Sequence, residues 1–311
     1  MDYIEEYKKN GFFILENIYS NSEIKLMLQL IKEINSSQGL VTRDANNKIL
    51  RIENVLKNKK DLREIVEKNY IIKILGDCIQ SKVILFKDKI IYKNPNSENS
   101  LVPHMDGVFK SYNYRLKKKT FGWKTYSSKF INLTIMLTDN TIENGCLFIN
   151  KIKSEDRNFL YDKYVFQTEN NKKINMNKVT DKFYSINAKK GSILIFNPLC
   201  IHYSKNNISN SIRKNIYLTY NDLKDGDNYE LNLGDKKLAL KNKGDIINTK
   251  LSSGNDYFNI LIVGFGNIAF RYYQALQKIN YYSINLTIVS NKDPKLDTKY
   301  KFFTSIDDIT T

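Results

Sequence analysis

The chain has 311 residues, 41 % of them apolar, which is enough for one large domain or two ordinary ones and excludes a disordered chain. Its 49 Lys and Arg against 33 Asp and Glu give a formal charge of +16, which favours anionic partners. The basic residues are mostly lysine and run along the whole chain, so a dedicated nucleic-acid surface is not expected.

Cys78, Cys146 and Cys200 form no C-x-x-C pair, so neither a disulfide framework nor a thiolate zinc site is expected. The charged N-terminus lacks an apolar signal segment, and no apolar run reaches the roughly 18–20 residues that cross a bilayer. A cytoplasmic protein without a membrane partner is the expectation.

In chain order, residues 2–9 read as a short helix and Gly11–Asn17 as a strand. Ser20 and Glu23 have capping-box spacing, and Ile24, Met27, Leu28, Ile31 and Ile34 follow at helical intervals. A further helix is expected over 60–78. The segments 82–93, 130–138, 146–150, 183–187, 192–197 and 215–220 are short and rich in β-branched and aromatic residues. Turn signals separate them, among them Asn94-Pro95, Asn144-Gly145, Lys190-Gly191 and Asn197-Pro198. Helices first and short strands later predict a mainly β domain over 1–222, an antiparallel double-stranded jelly roll with helical support. Residues 107–129, with Arg115 and Lys117 to Lys119, read as a solvated basic loop or a lid. The polar stretch 223–257 reads as a linker. Residues 258–311 read as a strand, a glycine turn, a helix and a second strand.

The chain has two histidines, His104 in His104-Met105-Asp106 and His202 in a strand-like segment. Two imidazoles and one carboxylate can occupy one face of an octahedral iron and leave three positions open. In extended backbone, residues two apart project to the same side, so His104 and Asp106 can share a ligand. A lone histidine is otherwise a surface or core residue, and H-x-D alone is a weak signal. Ser204 shares the face of His202, and Arg213 begins the next strand. An arginine there can fork a carboxylate or form a surface ion pair.

Several segments together resemble the phytanoyl-CoA dioxygenase family over residues 1–222. They are the opening EEYKKNGFFILENIYSNSEI, Tyr92-Lys93-Asn94-Pro95, His104-Met105-Asp106, Glu143-Asn144-Gly145-Cys146-Leu147 and FNPLCIHYSKNNISNSIRK. The resemblance implies a double-stranded β-helix, a cupin-like jelly roll, that hydroxylates a small molecule with Fe(II) and 2-oxoglutarate. It implies iron on His104, Asp106 and His202, and the distal carboxylate of 2-oxoglutarate on Arg213 and Ser204. Arg51 falls near a basic residue that contacts the co-substrate in some members, and Asn207 is expected to fix a loop. The family's Pro-Gly-Ser-His-like turn after N-G-C-L is absent, replaced by Phe148-Ile149-Asn150-Lys151. The expected substrate is a small molecule, with an anionic one among the candidates.

Gly264, Gly266 and Ala269 form a G-x-G-x-x-A turn, and the tail resembles the start of the glucose-fructose oxidoreductase/inositol dehydrogenase-like family. Val289 is followed by Ser290, Asn291 and Lys292, so the acidic residue that would bind a ribose hydroxyl is missing. This argues against NAD and leaves NADP open. With only about 54 residues, 258–311 is expected to be a truncated Rossmann-like α/β segment without competent NAD(P) binding. Two further readings stand beside the dioxygenase: a nicotinamide-dependent oxidoreductase fragment of a bifunctional protein, and a non-catalytic jelly-roll binding module.

Overall fold

A computed structural model describes residues 2–34, 39–44, 46–97, 100–152, 182–242, 257–263, 283–290 and 300–303. Helix α1 (Tyr3–Asn10) is capped by Asp2, whose carboxylate accepts from the amides of Ile4 and Glu5. It ends at Gly11, in left-handed backbone at φ 79°. A Cβ there would lie 2.4 Å from Ile152 and 2.7 Å from Cys200, so only glycine turns the chain into β1 (Phe12–Leu15).

The capping box forms as expected: Ser20 accepts from the Glu23 amide, and Glu23 accepts from the Ser20 amide at 2.8 Å. It opens α2 (Asn21–Lys32), which buries Ile24, Met27, Leu30 and Ile31; Leu30 takes the place expected for Leu28. Strands β2 (Leu40–Arg43) and β3 (Ile49–Glu53) follow. The single helix expected over 60–78 is two, α3 (Lys60–Val66) and α4 (Asn69–Ile79). The break falls at Glu67, where ψ is 69°, and Lys68 is drawn to Glu23 at 2.6 Å and to the Ile18 carbonyl.

From β4 (Val83–Lys93) onward the chain passes back and forth between two sheets. Strands β5 (Leu101–His104), β9 (Leu147–Asn150), β10 (Phe183–Ser185) and β12 (His202–Ser204) make a four-stranded sheet in the order β10-β9-β12-β5. Strands β8 (Phe130–Met136), β11 (Ile193–Phe196) and β13 (Arg213–Asp222) join β1 to β4 in a seven-stranded sheet, in the order β1-β11-β8-β13-β4-β3-β2. Met136, Leu194 and Phe196 of the larger sheet pack with Leu147 and Ile149 of the smaller one. This is the double-stranded jelly roll that the strand texture predicts.

Two expectations are corrected. Residues 107–129 hold a hairpin, β6 (Lys110–Asn113) and β7 (Lys118–Phe121), rather than a plain loop; Arg115 and Lys117 to Lys119 are exposed as expected, but Arg115 also forks Asp235, with Nε at 2.7 Å and Nη2 at 3.0 Å. Asp235 lies on α5 (Tyr229–Asn242), inside the stretch read as a linker. Asn113 and Tyr126 also donate to Asp235, and these bonds fix the helix where its hydrophobic pattern is weak. The three cysteines are free thiols, and among the described residues no helix is long and apolar enough to cross a membrane.

A second unit comprises residues 252–311 together with 43–49. It contains β14 (Tyr257–Val263), β15 (Ser283–Val289) and β16 (Tyr300–Phe303), paired in parallel in that order. The glycine turn at Gly264, Gly266 and Ala269 lies outside the described residues.

Candidate metal centre

Strand pairing brings the two histidines together. His202 on β12 is the register partner of His104 on β5, and their ring centroids are 4.2 Å apart. Asp106 follows just after β5, where its amide donates to the Pro198 carbonyl at 2.8 Å. Gly107 then turns at φ 73° over Trp123; a Cβ there would meet the indole at 2.6 Å.

His104 Nε2 is 3.7 Å from Asp106 Oδ1, and His202 Nε2 is 3.8 Å from Asp106 Oδ2. One ligand atom from each of the three residues lies within 4.8 Å of the others. Each imidazole is oriented by its own backbone: Nδ1 of His104 meets the Val102 carbonyl and Nδ1 of His202 the Cys200 carbonyl, both at 2.9 Å. With Nδ1 as donor, Nε2 carries the lone pair and faces Asp106. Burial, assisted by His104, lowers the His202 pKa to about 4, so this ring is neutral, as a metal ligand must be. Burial also opposes the charge of Asp106. His104, His202 and Lys87 outweigh that and hold the carboxyl well below its usual range. The Asn132 amide donates to Asp106 Oδ2 at 2.8 Å, and Thr219 donates to Asn132 at 2.8 Å. Two imidazoles and one ionised carboxylate are a donor set that suits Fe(II).

The second cluster lies mainly on the larger sheet, with Ser204 reaching it from the smaller one. Arg213 begins β13 directly opposite Lys93, the last residue of β4, and both are 3 % exposed. Lys93 donates to Ser204 Oγ at 2.7 Å and to the Lys205 carbonyl. Arg213 Nη1 donates to the Gly145 carbonyl, while its Nε is buried without a partner. Gly145 has to be glycine, since a Cβ would lie 2.6 Å from the Lys205 carbonyl and 2.9 Å from the Lys93 side chain. Burial and the Arg213 charge lower the Lys93 pKa to about 7. Among the described residues no carboxylate pairs with either cation. Asn207 fixes the adjoining loop: it donates to the Lys93 and Ser211 carbonyls and accepts from the Ser209 amide. Arg51 lies on β3 opposite Ile91, with Nε 3.4 Å from the Glu53 carboxylate.

The structure brings His104, Asp106 and His202 together, sets Ser204 and Asn207 beside Lys93 and Arg213, and leaves Arg51 on β3 beside Glu53; sequence reasoning did not single out Lys93, Asn132 or Thr219. Only alternation along 82–93 could have suggested Lys93, and nothing in the sequence gave its pairing with Arg213.

A double-stranded β-helix with two imidazoles and one carboxylate at its mouth and a buried cationic end defines the class of Fe(II)/2-oxoglutarate oxygenases. Within that class the chain belongs to the phytanoyl-CoA dioxygenase (PhyH) family, whose sequence model matches residues 7–215. It is a 2-oxoglutarate-dependent dioxygenase, with Fe(II) as its metal. It is 23 % identical over 269 residues to a 2-aminoethylphosphonate dioxygenase of uncultured bacterium HF130_AEPn_1, covering 82 % of this chain and 94 % of that one. It is 22 % identical to a methylphosphonate hydroxylase of Gimesia maris, covering 76 % and 86 %. Its fold is similar to that of EctD from S. alaskensis with bound Fe, at a TM-score of 0.52 and 16 % identity over 71 % of this chain and 76 % of that one.

Proposed function

We propose that this enzyme hydroxylates a C–H bond of a small organic molecule, with iron on His104, Asp106 and His202. In this reading Arg213, Lys93 and Ser204 seat the distal carboxylate of 2-oxoglutarate. One observation carries it: the ligand triad shares a barrel with two adjacent buried cations that have no carboxylate partner among the described residues. Bound Fe(II) and 2-oxoglutarate supply the oxidising power that puts one atom of O2 into the C–H bond, with succinate and CO2 as the other products. The protein's part is orientation. The Val102 and Cys200 carbonyls fix the rings, and Thr219 and Asn132 fix the carboxylate. Lys93 and Arg213 hold the far end of the co-substrate in a dry pocket, where charge-assisted hydrogen bonds are strong. The names of the relatives support a small organic substrate, since two of them act on phosphonates.

The test is succinate formation from 2-oxoglutarate by anaerobically Fe(II)-loaded enzyme after admission of O2, without added substrate. Slow formation is expected in the wild type, with a loss of at least ~100-fold in His202→Ala and Arg213→Ala. Unchanged turnover in either variant would sink the assignment.

A further inference from the structure

The face of the larger sheet that carries Lys93 holds two more lysines. Lys87 and Lys89 lie on β4 at even spacing from Lys93, so all three project to the same side. Lys89 pairs in register with Tyr217, and Lys87 with Thr219, the residue that holds Asn132 against Asp106. Glu53 faces Lys89 across the next strand, beside Arg51, and α5 contributes Lys236.

The cluster sets four cations, Lys87, Lys89, Arg51 and Lys236, around Glu53, with Asp106 within electrostatic reach of Lys87. Two of the cations are engaged by Glu53: Lys236 at 2.5 Å and Arg51 at 3.4 Å. Among the described residues neither Lys87 nor Lys89 has a hydrogen-bonded or ion-paired acceptor. The Lys87 ammonium instead rests 3.6 Å from the centroid of the Trp123 ring, next to the Asp106–Gly107 turn. Burial, with Lys89, draws the Lys87 pKa well below the usual lysine value, although Asp106 and Glu53 favour its charge. Lys87 is partly buried, and a cation there without an acceptor loses hydration that an incoming anion would offset.

That ligand is not the co-substrate. Lys87 and Lys93 are six residues apart on one strand, roughly 20 Å between Cα atoms. The terminal carboxyl carbons of a five-carbon diacid are about 5 Å apart. Lys93 is tied to Ser204 and Lys205, and Lys87 to the Trp123 ring, so the distal carboxylate that Arg213 and Lys93 would hold leaves Lys87 to a different anionic group.

We propose that Lys87 and Lys89 form the substrate's oxyanion subsite, and that the substrate carries a compact tetrahedral dianion, a phosphonate or phosphate monoester, next to the carbon that is hydroxylated. The inference rests on the dioxygenase reading above. Two ammonium groups are point charges that suit a tetrahedral phosphoryl group, whereas a planar carboxylate is better matched by the arginine fork. A phosphate monoester, with a second pKa near ~6, carries nearly two negative charges at neutral pH, and a phosphonate gains the second charge at somewhat higher pH or beside the two ammonium groups.

Calorimetric titration of the full chain tests this, loaded anaerobically with Fe(II) and 2-oxoglutarate, with methylphosphonate, methyl phosphate and acetate as probes. At least one phosphorus probe is expected to bind at least tenfold more tightly than acetate. Lys87→Met and Lys89→Met should each weaken it tenfold or more, and Lys60→Met, which removes the same charge from an exposed position, should not. Lys87→Met should also raise the melting midpoint of the ligand-free protein; a lysine kept for structure would lower it. Lys87→Arg keeps the charge and should retain more affinity than Lys87→Met, which separates charge from packing. Preference for methylphosphonate over methyl phosphate indicates carbon-bonded phosphorus, and the reverse indicates an ester; either supports the dianion. The subsite is overturned if neither phosphorus probe binds, if acetate binds as well, or if binding survives both methionine substitutions. Succinate formation and 2-oxoglutarate binding in the same preparation report on the parent reading. Succinate without phosphonate binding removes the subsite alone, and absence of both removes the dioxygenase reading with it.

Discussion

At the scale of single residues, the site separates what binds from what positions. Asn132 touches no reacting atom in this scheme; it holds the Asp106 carboxylate, and Thr219 holds Asn132. Asn132→Ala is therefore expected to weaken Fe(II) retention about 10–100-fold, as loss of a group behind a metal ligand does, and to leave the KM for 2-oxoglutarate close to wild type. Metal titration followed by initial-rate kinetics checks both. Lys93 gives a pH signature. Its pKa is about 7 in the ligand-free fold, and an unfolded chain returns it to the usual value near ~10.4. Between those limits the unfolded state binds more protons, so this residue makes ligand-free stability rise with pH from about 7 upward. The distal carboxylate restores the proton, so 2-oxoglutarate affinity falls as pH climbs past the same point. Both slopes should be shallower in Lys93→Met, measured by thermal melts and by the KM for 2-oxoglutarate across that window.

At the scale of elements, legibility followed the range of the interaction. The capping box of α2 is written in Ser20 and Glu23, and Ser20→Ala should cost about 1 kcal/mol in chemical denaturation. His104 and Asp106 share a side because alternation is local, and the distal-histidine segment could be matched as a unit. Lys93 opposite Arg213, and Thr219 reaching Asn132, depend on register across β13, which adjacent residues do not encode. The break between α3 and α4 escaped for a related reason: Lys68 is claimed by Glu23 and Ile18, both distant in sequence. Helix α5 looks like linker in the sequence because its apolar residues form no stripe. Its position is fixed by a buried carboxylate, Asp235, that Arg115, Asn113 and Tyr126 all engage. Asp235→Ala would leave the Arg115 guanidinium without its acceptor, and proteolysis should then open the β6–β7 hairpin first.

At the scale of the whole molecule, every residue assigned to metal, co-substrate or dianion lies within residues 51–236, in the first of the two units. A chain ending at Asn242 is accordingly expected to keep Fe(II) binding and succinate formation within about twofold of the full chain, checked by the assay already described; a loss of tenfold or more would show that the remaining residues take part. The sequence holds a single tryptophan, Trp123, and the fold puts it under the Lys87 ammonium and against the turn that follows Asp106. All indole emission from this protein thus originates beside the chemistry. An anion that draws the ammonium off the ring changes the field on that chromophore, so the enzyme carries its own optical gauge of substrate occupancy, readable at equilibrium and without a label.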